Sequence, residues 1–442
     1  MVLDTGATAW MLVSASLVLL MTIPALALFY GGMSRSKSVL NMMMMSFGGT
    51  AVVGVLYVVF GWSMSYGGSD LAGILANPFE QLGLHGAITD SSGAFLLDDY
   101  GVPVIVGVAF QMTFAVITVA LISGAIADRT RFGAWMTFVP LWATLSYFPM
   151  AHMVWGGGAL SSDGWFGSIA APIDFAGGTV VHINAGVAGF VLAVLIGRRR
   201  GFGRMPMRPH NLPLTMLGAG LLWIGWFGFN AGSAFTADGL AGLAWVNTSA
   251  AACAAVLGWL LVERLRDGHA TSLGAASGIV AGLVGITPAA GSVTPVGALA
   301  LGAICGVLCA LAVGLKYRFG YDDALDVVGV HLVGGLTGTV LVGFLSEDTG
   351  LLYGHGAAQL VVQVLVALVA IGFSLVTTAA CWFIVSRTPG GWRLSADAEH
   401  LAPTRPNTTS PRTSRSPAAA WPLSSPARSV APSSLPARRP EP

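Results

Sequence analysis

Apolar runs recur along this chain, each close to the roughly 20 residues that a helix needs to cross the hydrocarbon core of a bilayer. Eleven can be read, at 7–29, 41–66, 103–127, 132–154, 175–197, 212–232, 244–262, 271–289, 292–315, 327–345 and 357–385. A bilayer offers no water to main-chain N–H and C=O groups, so such segments must satisfy their own hydrogen bonds as helices. With 55% of residues hydrophobic and 9% charged, the expected fold class is an all-α integral membrane protein with eleven transmembrane helices.

The charges give an independent test of the count. Before residue 400, Lys and Arg occur at 35, 37, 129, 131, 198, 199, 200, 204, 208, 264, 266, 316, 318, 387 and 393, and all fall in alternate connections. The other connections hold none, although they carry Asp70, Glu80, Asp90, Asp98, Asp99, Asp163, Asp238, Glu347 and Asp348. The positive-inside rule then predicts an outer N-terminus and a cytoplasmic C-terminus, which requires an odd number of spans. The net charge of +1 gives no reason to expect a nucleic-acid partner.

A cleavable leader is not expected at residues 1–30, because the segment lacks a basic start and Arg35 and Lys37 follow it. Cys253, Cys305, Cys309 and Cys381 all fall within predicted spans and read as small packing residues. Residues 1–390 are expected to form the membrane domain and 391–442 a cytoplasmic tail. Over 402–442, Pro, Ser, Ala and Arg dominate, a composition that predicts disorder.

One internal repeat stands out: VHINAGVAG at 181–189 matches VHLVGGLTG at 330–338. The two copies lie in the fifth and tenth spans, so they enter the membrane from opposite sides. This predicts a 5+5 inverted repeat plus a final helix, with a site near the interface of the two halves. His182 and His331, at equivalent positions well inside their spans, are the candidate functional pair. Asp174, eight residues before His182, fits either a helix N-cap or a negative charge near an entering cation. Asp326, five residues before His331, reads as an ordinary N-cap.

Five ordered motifs carry a family resemblance: AFQMTFAVITVALISGAIADR at 109–129, HMVWGGG at 152–158, DFAGGTVVHINAGVAG at 174–189, WFGFNAGSA at 226–234 and DVVGVH at 326–331. Together they resemble the ammonium transporter family, the Amt/Mep/Rh group, over essentially all of residues 1–390. The resemblance implies a homotrimer in the cell membrane with a narrow pore through each subunit, ammonium or ammonia as the permeant, and neither a cofactor nor enzymatic activity. It implies an outer recruitment site at Phe110, Phe114, Trp155 and Ser233, supported by Asp174. It also implies a stacked gate of Phe114 and Phe229, twin histidines at His182 and His331, and a pore-wall tryptophan at Trp226.

Aromatic faces can offset part of the water that ammonium loses, and only ammonium can then shed a proton before a dry pore that stops potassium. An Rh-like conduit for ammonia or carbon dioxide is the rival within transport; Trp155 and Ser233, as a cation-recruiting pair, argue against it. An ammonium sensor is the rival from another class, for which a domain after the last span would be the signal. The family's Gly-Leu-Asp and His-Gly-Glu tail pattern is missing after WRLSADAEH at 392–400, which calls into question closure by a PII-type signalling protein.

Overall fold

The computed structural model describes residues 2–205 and 207–400, so the disorder expected over 402–442 lies outside the described residues. Helix occurs at each of the eleven predicted places. We number them α1 (Thr5–Met33), α2 (Ser36–Tyr66), α3 (Val104–Ile126), α4 (Phe132–Trp142, continued through Ala143–Tyr147 into Phe148–Trp155), α5 (Gly178–Ile196), α6 (Leu212–Gly232), α7 (Gly239–Asp267), α8 (Ser272–Ile286), α9 (Pro295–Phe319), α10 (Val328–Leu345) and α11 (Ala358–Ser386). Among the described residues, nine are long and apolar enough to cross a membrane; α4 and α8 fall outside that group.

Local chemistry explains the two exceptions. Helix α4 is long enough, but Thr137, Pro140, Thr144, Ser146, Pro149 and His152 dilute its apolar content, and a wider π-type turn at Ala143–Tyr147 lies between its two prolines. Helix α8 starts where the Thr271 hydroxyl accepts from the Gly274 N–H and stops just before Pro288, short of the expected 271–289. Elsewhere the starts are capped by side chains that accept main-chain N–H groups: Asp4 for α1, Asn211 for α6, Asp238 for α7 and Thr294 for α9.

Helices α3 and α5 form the centre, with 78% and 83% of their most apolar windows buried, against 28% for α2 and 33% each for α7 and α11. The outer helices turn Leu257, Val55, Val376 and Leu368 outward, which in water would be an aggregation surface and in lipid is the favoured contact. Cys305, Cys309 and Cys381 are buried as packing residues; Cys253 instead lies exposed on α7. Between α2 and α3 a two-stranded hairpin, β1 (Asp70–Leu71) with β2 (Leu75–Ala76), is tied to α4 by Asp70 Oδ1 and His152 Nε2, 2.9 Å apart.

At the basic end of the bundle, residues 392–400 pack against several connections. The Arg131 N–H donates to the Trp392 carbonyl and the Leu394 N–H to the Arg129 carbonyl, both at 2.9 Å. Glu399 accepts from the Arg200 N–H and from Arg393, and the Lys37 ammonium donates to the Glu399 carbonyl. Beneath this segment, Arg199 bridges Asp128 at 3.0 Å and Asp322 at 2.7 Å. Burial pushes the Asp322 carboxyl up, but the hydrogen bonds and charge of Arg199 outweigh it and hold the group below the usual carboxylate range.

Candidate functional site

A cavity of about 850 Å³ opens at the end of the bundle formed by the acidic connections. Phe114, Trp155, Asp174 and Ser233 line it, together with Asp98, Asp99 and Asp163 and without a single Lys or Arg. Trp155 packs edge-on to Phe114, ring centroids 6.0 Å apart, and its indole N–H donates to the Asp174 carbonyl at 2.9 Å. The Ser233 hydroxyl donates to the Phe229 carbonyl at 2.8 Å, which leaves its oxygen lone pairs as acceptors. Aromatic faces, a hydroxyl acceptor and nearby carboxylates can hold a small cation that has given up part of its water.

Phe110, expected beside Phe114 at this site, is fully buried and does not line the cavity. It packs behind Phe114 and is covered by Phe235, whose ring meets it edge-on at 5.5 Å.

Phe114 lines the cavity and stacks on Phe229, which lines the inner space, at 4.1 Å and 10° with both rings buried. Below it, the His182 ring stacks on Trp226 at 5.5 Å and on His331 at 5.4 Å. The Trp226 indole is fixed by donating to the Thr287 hydroxyl at 3.0 Å. The two Nδ1 atoms are 3.3 Å apart, so in a neutral pair one donates and the other accepts. The donor ring then has an accepting Nε2 and the other ring an Nε2–H donor, so the pair can meet a permeant with either polarity. Among the described residues His182 Nε2 is buried with no partner. The space beside these rings is about 10 Å³, near the room one water needs, and Met21, Leu26, Phe29, Ile117, Leu121, Leu222 and Val280 make most of its wall.

Both histidines sit in a π-type turn that opens their helix, Gly178–Ile183 for His182 and Val328–Leu332 for His331. Such turns widen the helix and aim side chains differently from a regular turn. The approach of the two helices needs glycine at 335, where a Cβ would lie 2.8 Å from the His182 Cβ. Gly177, at φ +114°, provides the left-handed entry to α5.

Asp174 caps α5 with both oxygens: Oδ1 accepts from the Gly177 and Gly178 N–H groups, and Oδ2 from those of Thr179 and Val180. The matching group in the second half is Asp323, which accepts from the Val327 and Val328 N–H groups, rather than Asp326. Asp326 sits at φ +64° and pairs with the Lys316 ammonium, so its expected capping role is corrected. Burial pushes the Asp323 carboxyl up to about 6. The eight-residue spacing of Asp174 to His182 recurs as Asp323 to His331, a signal already present in the sequence. Gln111, a polar residue within an apolar run, also lines the vestibule and could have been singled out; Phe235 carries no such mark.

With this geometry in hand, the relatives of the chain can be compared. An ammonium transporter of Mycobacterium tuberculosis (strain ATCC 25618 / H37Rv) is 54% identical over 90% of this chain and 87% of its own length. One from Aquifex aeolicus is 46% identical over 90% and 91%. The crystal structure of Candida albicans Mep2 superposes with a TM-score of 0.81 at 31% identity, covering 89% of this chain and 87% of that one. Residues 9–404 match the Ammonium Transporter Family as a whole, and the chain belongs to that family of membrane transporters.

Proposed function

We propose that the chain recruits ammonium in the acidic, aromatic vestibule, that the ion gives up its proton to vestibule water above the Phe114–Phe229 gate, and that ammonia passes along His182 and His331, with the proton following it or staying outside. The observation that carries this reading is the narrowing from about 850 Å³ to about 10 Å³ across one pair of stacked rings. A hydrated cation does not fit the inner space, and a bare one would lose its hydration to an apolar wall. Ammonium escapes that penalty by leaving its proton behind, whereas potassium cannot.

In this reading the eleven helices all cross the cell membrane, with the N-terminus outside, the C-terminus in the cytoplasm and the two five-helix halves inverted. The charge alternation and the paired Asp-to-His spacing support it. The twin pore elements lie within one subunit, so a homotrimer would carry three independent pores. The chain is not an enzyme in this scheme, since the permeant leaves chemically unchanged apart from its proton.

The test is flux into proteoliposomes holding the purified protein, with luminal pH and current recorded during ammonium and potassium pulses. An ammonium-specific response is expected. Equal passage of potassium would refute the proposal.

A further inference from the structure

Phe235 has no role in the recruitment site as the motifs define it, yet it lines the vestibule where Phe110 does not. It holds a left-handed conformation, φ +59°, which bulky residues rarely adopt, and this brings the ring against Phe110. It also stacks on Tyr100, ring centroids 5.8 Å apart at 24°. Tyr100 is 52% exposed, so the pair runs from solvent down to the buried rings.

We propose that Phe235 and Tyr100 form an outer subsite for small ammonium cations, met before Trp155, Phe114 and Ser233. Its chemistry suits that class of ligand. Ring faces attract the charge without binding its water tightly. Asp98 and Asp99, on the same wall, raise the local cation concentration over neutral or anionic solutes. Phe235 thus takes over from Phe110 as the ring facing the ion, and the buried Phe110 supports it from behind.

The inference rests on the proposed ammonium transport, so wild-type flux is measured first. Initial ammonium-dependent flux is then followed against concentration in proteoliposomes bearing Phe235→Leu, Tyr100→Leu, Phe235→Tyr or Trp155→Leu. Phe235→Leu is expected to raise the half-saturating concentration about two- to five-fold, the equivalent of one partly exposed cation–π contact. Tyr100→Leu should shift it in the same direction, and the shift should fall on half-saturation rather than on maximal flux. Phe235→Tyr, which keeps a ring face, should restore it. Tyr100 is half exposed, so its variant carries the test if Phe235→Leu does not assemble. Unchanged half-saturation in Phe235→Leu and Tyr100→Leu, with a shift in Trp155→Leu, would overturn the subsite alone. Loss of maximal flux without a shift would make the rings structural and overturn it too. A wild-type protein that moves no ammonium would overturn the transport reading together with the subsite.

Discussion

Replacing Asp174 with asparagine tests whether the carboxylate, rather than a side chain of that shape, holds the start of α5. In the native chain, four main-chain N–H groups converge on its two oxygens over 2.6 to 3.2 Å. Asparagine keeps one oxygen for two of them and presents an NH₂ to the other two, donor against donor. Each buried donor left without a partner costs about 1–3 kcal/mol, so the two together cost about 2–6 kcal/mol. That is a large share of the roughly 5–15 kcal/mol that separates a folded domain from its unfolded state. The loss is also local to the candidate site, because the Asp174 carbonyl holds the Trp155 indole and the π-type turn it caps carries His182.

Asp174→Asn should therefore lower the thermal unfolding midpoint of the solubilised protein and remove uptake by more than the fall in membrane abundance explains. Asp238→Asn is the matched control. Its carboxylate caps α7 with one oxygen shared by two donors at an exposed site, so it should lose far less. Should Asp174→Asn reach the membrane in normal amount, unfold at the wild-type temperature and take up ammonium at the wild-type rate, the charge-assisted cap is not what organises the pore.

Two further outcomes are expected. His182→Asp combined with His331→Glu should convert selective uptake into leakier conduction that admits potassium, because carboxylates stabilise a cation and draw water where neutral imidazoles do not; potassium flux in vesicles measures it, and continued exclusion of potassium by a well-assembled variant would assign selectivity to the vestibule. Asp322, held below the usual carboxylate range by Arg199 against the effect of burial, contributes stability that is complete above about pH 4 and fades as pH falls through its lowered value; the gap in unfolding midpoint between wild type and Asp322→Asn should narrow from pH 7 to pH 3, and a gap independent of pH would refute the linkage.

Much of this architecture was legible because a bilayer leaves the chain few options. Length of apolar run and the side on which Arg and Lys fall located all eleven helices. Some ends were less legible: α8 stops at Ile286, just before Pro288, through local geometry rather than hydropathy. The histidine pair was readable as a repeat, and its 3.3 Å contact follows from two like segments meeting. Asp323 was missed because DVVGVH drew attention to Asp326, three residues nearer the helix, although only Asp323 preserves the eight-residue spacing. For Phe110, a motif names a ring without saying what covers it. What covers it is Phe235, turned there by a backbone conformation that no hydropathy pattern signals.

The contacts of residues 392–400 also bear on how the molecule is made. Synthesis delivers this segment after all eleven helices, at about 5–20 residues per second. Until it arrives, the Arg131 N–H, the Arg129 carbonyl and the Arg200 N–H lack the partners they have in the finished chain. Arg199, Asp128 and Asp322 can already tie these connections together, so the last segment adds a second layer of contacts over them. A nascent chain stopped just after α11 would hold all eleven helices and the Arg199–Asp128 pair, yet would lack the main-chain contacts of Arg129, Arg131 and Arg200 with residues 392–399.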